Sequence, residues 1–271
     1  PDEFAARVIQ IVRSEGDEGL RRINTALDGG SPDILEVTQS EIDSAFDELD
    51  PAAVSALELA ADRVRKFQGR GLPKSWSDGT GKFGEKVTPL ETIAAYVPGG
   101  TAPLASTVIM TVVPAKVAGI DEIIVATPTP GNALPHPAIL AAAKIAGADR
   151  VFKLGGAQAI AALAYGTESV PAVDLICGPG NGWVTAAKKL VFGDVGIDGL
   201  YGPTETLVIA DESANPRFTA SDLIAQAEHG AGAQSILVTT DAKLADAVGA
   251  EVDRQLALLP KQAIAREGWE E

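Results

Sequence analysis

Apolar residues at the start of the chain recur with a helical period. Phe4, Val8, Ile11 and Val12 form one stripe, and after Gly16 the stripe resumes with Leu20, Ile23 and Leu27. Pro51 opens a further predicted helix over residues 52–68, since proline suits a first helical position. Residues 69–84 are turn-rich and predict a loop. From Lys86 the period changes, and the alternating and β-branched positions from Val87 to Val97 predict paired strands entering a new domain. Short apolar runs then alternate with alanine-rich helical patterns. Strands are predicted at 123–126, 151–154 and 173–176, and helices at 137–146, 158–165 and 183–191. After Tyr201-Gly202-Pro203 the beat returns, with strands at 207–210 and 236–240 and a helix at 217–229. A final helix is capped by Asp241 and ended by Pro260. Such alternation predicts βαβ units, an α/β class and parallel sheet. The expected organisation is an N-terminal helical segment (1–90) packing with the second block, a first α/β block (91–203) and a second (204–271).

Composition changes this picture little. With 271 residues, 46% of them apolar and 22% charged, the chain has enough core for one large domain or two modest ones. A net charge of −15 sets a field that repels phosphate backbones, which argues against a nucleic-acid partner. The acidic positions are spread out and read as solvated helix faces. A single cysteine, Cys177, excludes an intrachain disulfide and fits a reducing compartment. Pro, Gly or Lys interrupts the longest apolar runs before they reach membrane-spanning length, and no signal-peptide pattern opens the chain. The expectation is a cytoplasmic protein without a membrane partner. The chain begins at Pro1 and stops at Gly268-Trp269-Glu270-Glu271, and a longer protein is expected from both ends.

Candidate chemistry lies first in three glycine turns, Gly99-Gly100, Gly155-Gly156-Ala157-Gln158 and Gly178-Pro179-Gly180-Asn181. The last two stand between a predicted strand and a predicted helix. A helix N-terminus there offers free amide N–H groups and a positive dipole end to a phosphate, and glycine permits close approach. None completes the G-x-G-x-x-G fingerprint: the position of its third glycine in the last turn is Trp183. Each turn alone is more often an ordinary tight connection, and it is three of them within one domain that point toward a nucleotide-sized ligand. A second candidate is Asp222, Gln226 and His229, spaced to share one face of a predicted helix. Two such donors do not complete a zinc site, and a hydrogen-bonded, partly buried histidine reads as well. A third is Gly202-Pro203-Thr204-Glu205, either a polar corner for a substrate or a plain capped turn. Cys177, at the end of an apolar strand, reads as core.

Six segments in order nevertheless resemble one family: Tyr96-Val97-Pro98-Gly99-Gly100, Val113-Pro114-Ala115-Lys116-Val117-Ala118-Gly119, Gly155-Gly156-Ala157-Gln158-Ala159, Gly178-Pro179-Gly180-Asn181, Gly202-Pro203-Thr204-Glu205 and Gln226-Ala227-Glu228-His229. The series is similar to histidinol dehydrogenase from the N-terminal helices to at least Thr240. The resemblance implies two incomplete Rossmann-like domains, an intertwined homodimer, and zinc- and NAD-dependent oxidation of L-histidinol to L-histidine through histidinal. It implies that Tyr96, Gln158 and Asn181 contact NAD. It also implies that Gln226 and His229 ligate zinc beside the substrate, and that Thr204 contacts the substrate where the family often carries serine.

The chain departs from the family at its far end. The family places a Glu-His pair for acid–base work, and two more zinc ligands, further downstream. No histidine follows His229 here. The expectation is an enzyme whose catalytic pair lies beyond these residues, with the chain alone inactive. Two other readings stand beside it: a paralogue that oxidises another small polar alcohol, and a truncated, non-catalytic scaffold that keeps the NAD domain.

Overall fold

The computed structural model describes all residues except 100–102, 130, 202–203, 230–231, 261 and 271. Gly100, Gly202 and Pro203, parts of two of the expected turns, therefore lie outside the described residues. The chain forms two compact units, Pro1–Leu200 and Tyr201–Glu271.

The first unit begins with α1 (Asp2–Asp28), α2 (Gln39–Asp47) and α3 (Pro51–Gln68). Gly16 breaks α1 into two helical halves, with φ +55° and ψ −134°. The amide of Asp17, which opens the second half, donates to Glu168 Oε2 at 2.7 Å. Within the predicted loop a short antiparallel pair forms, β1 (Trp76–Ser77) with β2 (Gly84–Glu85). The paired strands expected over Val87–Val97 reduce to one, β3 (Thr92–Tyr96). Pro89 has no N–H to give a ladder, which shortens the run from its start.

There follow α4 (Ala105–Ala118), β4 (Glu122–Thr127), α5 (Pro137–Ala146), β5 (Arg150–Lys153) and α6 (Gly156–Tyr165). The unit ends with β6 (Leu175–Cys177), α7 (Gly182–Val191) and β7 (Gly196–Ile197). Apolar residues run all round α4, which leaves no amphipathic stripe to reveal it in the sequence. Strands β3 to β7 form a wholly parallel five-stranded sheet in the order β5-β4-β3-β6-β7. The order reverses between β3 and β6, and the carboxyl ends of those two strands make the switch point where open α/β sheets hold ligands.

Alternate strand residues feed two buried layers. Ala94, Tyr96, Ile124, Ala126, Phe152 and Ile176 face one cluster with α1, α6 and α7. Ile93, Ala95, Ile123, Val125, Val151 and Cys177 face the other, with helices α2 to α5. The N-terminal helices were expected with the second block. Instead α1 packs on α6 and α7, and α2 and α3 pack on α4 and α5. Their apolar stripes meet the largest nearby demand for cover, the two faces of a parallel sheet.

The second unit contains β8 (Glu205–Ala210), α8 (Pro216–Ala227), β9 (Gln234–Thr239), α9 (Ala242–Leu256) and α10 (Gln262–Glu270). Its two strands are parallel. Val208, Ala210 and Leu237 pack on a core of helix residues, while Leu207, Ile209, Ile236 and Val238 are exposed. No helix among the described residues is long and apolar enough to cross a membrane.

Candidate functional site

A cleft of about 640 Å³ opens at the switch point of the first unit. That volume suits a small-molecule ligand. Tyr96, Pro98 and Gly99 bring the end of β3 to it, Gly156 to Gln158 the start of α6, and Gly180, Asn181 and Trp183 the start of α7. Phe4, Leu27 and Asp28 enter from α1. Phe4 meets Trp183 edge-on, with ring centroids 4.8 Å apart.

Gln158 is 1% exposed, although it is polar. Its Nε2 donates to Asn24 Oδ1 and Asp28 Oδ2, each at 3.2 Å. Its Oε1 is buried and has no hydrogen-bond partner among the described residues. Buried acceptors are seldom left so, because the desolvation cost is then uncompensated. Tyr96, also buried, accepts the Gly156 N–H at its hydroxyl, 3.1 Å away. Burial pushes its phenol pKa up, and the Asp28 charge adds to this. Asp28 is the one charged side chain among the described lining residues. Burial raises its carboxyl pKa, against the hydrogen bond from Gln158.

The two glycine turns are not equivalent. At α6 the cap is Gly155, which has no side chain to bond the helix start; Tyr96 takes the Gly156 N–H, and the Ala157 and Gln158 amides have no partner among the described residues. Gly156 adopts φ +64°, and a Cβ on it would lie 2.6 Å from Gln158 Oε1. At α7 the Asn181 Oδ1 accepts the N–H groups of Trp183 and Val184, each at 3.1 Å. That turn caps its own helix and has fewer donors to offer than the sequence implied.

The NAD-contact positions expected from the resemblance, Tyr96, Gln158 and Asn181, thus line one cleft. Asp28 and Asn24 were not foreseen: a carboxylate at the end of an amphipathic helix carries no sign of a partner 130 residues away.

Thr204, Gln226 and His229 belong to the second unit. Gln226 Oε1 accepts from the hydroxyls of Thr204 and Thr206 at 3.1 Å each, and its Nε2 donates to Thr204 Oγ1 at 2.8 Å. The single helical face expected for Asp222, Gln226 and His229 does not form. Helix α8 ends at Ala227, and His229 is exposed beyond it, with its amide on the Gln226 carbonyl at 3.1 Å. Gln226 is buried and Asp222 exposed. Among the described residues no group of three or more His, Cys, Asp or Glu side chains could hold a metal. Two donors, one already bonded to threonines, do not fit a four-coordinate zinc ion.

Residues 2–271 match the family model for histidinol dehydrogenase. The histidinol dehydrogenase of Thermus thermophilus is 50% identical over 271 residues, covering 99% of this chain and 64% of the relative. That of Agrobacterium fabrum is 49% identical over 267 residues, covering 97% and 62%. The crystal structure of histidinol dehydrogenase from Elizabethkingia anophelis superposes with a TM-score of 0.92 at 37% identity, covering 98% of this chain and 62% of that one. The chain spans less than two thirds of the length of these relatives. From its first helix to its last, it belongs to the histidinol dehydrogenase family.

Proposed function

We propose that this protein takes part in NAD-dependent oxidation of L-histidinol to L-histidine through histidinal, and that the cleft of the first unit binds the NAD. The observation that carries the cofactor reading is Gln158, buried at the cleft with an acceptor oxygen that no described residue satisfies. A ligand hydroxyl or amide N–H supplies the missing donor. Tyr96 holds the Gly156 turn by accepting its N–H, which aims the start of α6 at the cleft. The Ala157 and Gln158 amides there suit a diphosphate, and no cation among the described lining residues competes for that role. Asn181 commits Oδ1 to its own helix and leaves its Nδ2 group for the ligand. Bound NAD supplies the hydride acceptor.

The substrate assignment rests on the family. By resemblance Thr204, Gln226 and His229 stand at substrate positions, and Gln226 and His229 at two zinc positions. These residues alone do not complete a metal site, so a zinc-dependent whole protein draws further ligands from residues other than those described. The acid–base pair that the family places downstream has no histidine counterpart after His229. A homodimer and a cytoplasmic location belong to the same proposal, and light scattering of the whole protein checks the first.

Calorimetric titration of the 271-residue chain with NAD tests the cofactor reading. Gln158→Leu removes the unsatisfied acceptor and is expected to weaken binding by about ten-fold. A wild-type chain that ignores NAD, or a variant that binds as well as wild type, overturns that reading. With L-histidinol and zinc, the chain alone is expected to produce no NADH while the Thermus thermophilus relative does. Turnover by the chain alone refutes the expected inactivity.

A further inference from the structure

The turn from Gly178 to Asn181 is held, outside the cleft lining, by an ion pair whose ammonium is buried and whose carboxylate reaches solvent. Lys188, on α7, is 2% exposed and forms a salt bridge with Asp198. Its Nζ donates to the Gly178 carbonyl oxygen at 3.0 Å. Asp198 Oδ2, in turn, accepts the Gly178 N–H at 2.8 Å. Both backbone polar groups of one residue are thus tied to opposite members of the same pair. Gly178 is the first residue past β6, and Asp198 the first past β7, so the pair ties the turn to two strand ends and to α7.

Stability is a poor reason for such a pair. Burying an ammonium costs more than an apolar side chain of similar size would, and the Coulomb gain does little better than offset it. What the pair does is set where the turn sits. Gly178 has φ +109°, and a Cβ there would run into the Tyr96 carbonyl oxygen, so the turn lies hard against the end of β3. Gly180 and Asn181, two and three residues on, line the cleft. A displaced turn carries them with it.

We propose that Lys188 and Asp198 are positioning residues, which hold the Gly178–Asn181 turn in the place that binds NAD. The proposal rests on the cofactor reading of the cleft. It requires Lys188→Met and Asp198→Asn each to weaken NAD binding by about ten-fold or more, and the double variant to lose little beyond the worse single one. The asparagine keeps an acceptor for the Gly178 N–H and removes only the charge, so it decides the matter if Lys188→Met does not fold. Val112→Ala, in the opposite core layer, is the reference for a merely structural loss. It is expected to lower Tm and leave the Kd for NAD unchanged. The amide resonance of Gly178, followed by NMR, is expected to move in both charge variants and not in Val112→Ala. If wild type binds NAD and folded Asp198→Asn binds it equally well, the positioning role is overturned and the cofactor reading stands. A wild-type chain that does not bind NAD overturns both.

Discussion

Cys177 closes β6 one residue before the clamped glycine, and its chemistry follows from that place. Burial pushes its thiol up to about 12, the nearby Asp198 carboxylate adds to the shift, and Lys188 works against it. A thiol held this high is almost wholly protonated at pH 8 and is a poor nucleophile. Folded protein at pH 8 is therefore expected to react with a disulfide reagent only as fast as it unfolds, with the full equivalent released in denaturant. Fast labelling of the native chain would show that the strand end opens readily. The reading of Cys177 as core was available from its apolar surroundings in sequence. Its two charged neighbours were not, because Lys188 and Asp198 come near it only when α7 and β7 fold back.

Among the elements, α2 shows a local rule acting at its start. Thr38 Oγ1 accepts the Glu41 N–H at 3.3 Å, and Glu41 Oε2 accepts the Thr38 N–H at 2.7 Å, a reciprocal capping box. Hydrogen bonds from the Thr38 backbone and hydroxyl hold the Glu41 carboxyl below its usual range, against a smaller opposing effect of burial. With a folded pKa below the unfolded one, the contribution is full above the unfolded value of 4.5 and fades as pH falls through the folded value. Thr38→Ala is expected to cost about 1 kcal/mol in urea unfolding at pH 7. Glu41→Gln is expected to flatten the loss of stability on acidification. A variant with an unchanged midpoint and slope would mean that the helix is held by its packing on α5 alone. Legibility fell off where local signals were weak. Gly16 marked the break in α1 and Pro51 the start of α3, but α4 went unseen because it is apolar on every face.

At the scale of the molecule, both core layers of the five-stranded sheet and every described residue lining the cleft lie in Pro1–Leu200. Residues 1–200 produced alone are therefore expected to fold cooperatively and bind NAD with the Kd of the 271-residue chain. Loss of binding on that cut would place part of the cofactor site in the second unit. The two units also differ in how their sheets are covered. Strands β3 and β4 are almost wholly buried, as parallel strands usually are, whereas β8 and β9 alternate exposed and half-buried residues along their length. The exposed face carries Leu207, Ile209, Ile236 and Val238.

By itself the sequence determined the α/β class, most strands and helices, and the positions of the glycine turns, because these depend on the spacing of apolar residues and on glycine and proline within a few positions. The resemblance, read from six ordered segments, named Tyr96, Gln158 and Asn181, three residues that the fold brings to one cleft. Only the tertiary structure decided that the N-terminal helices cover the first sheet, that Asp28 reaches Gln158, and that Lys188 and Asp198 grip Gly178. Packing partners, buried hydrogen bonds and ion pairs join residues far apart along the chain, and no local period encodes which of many similar faces will meet.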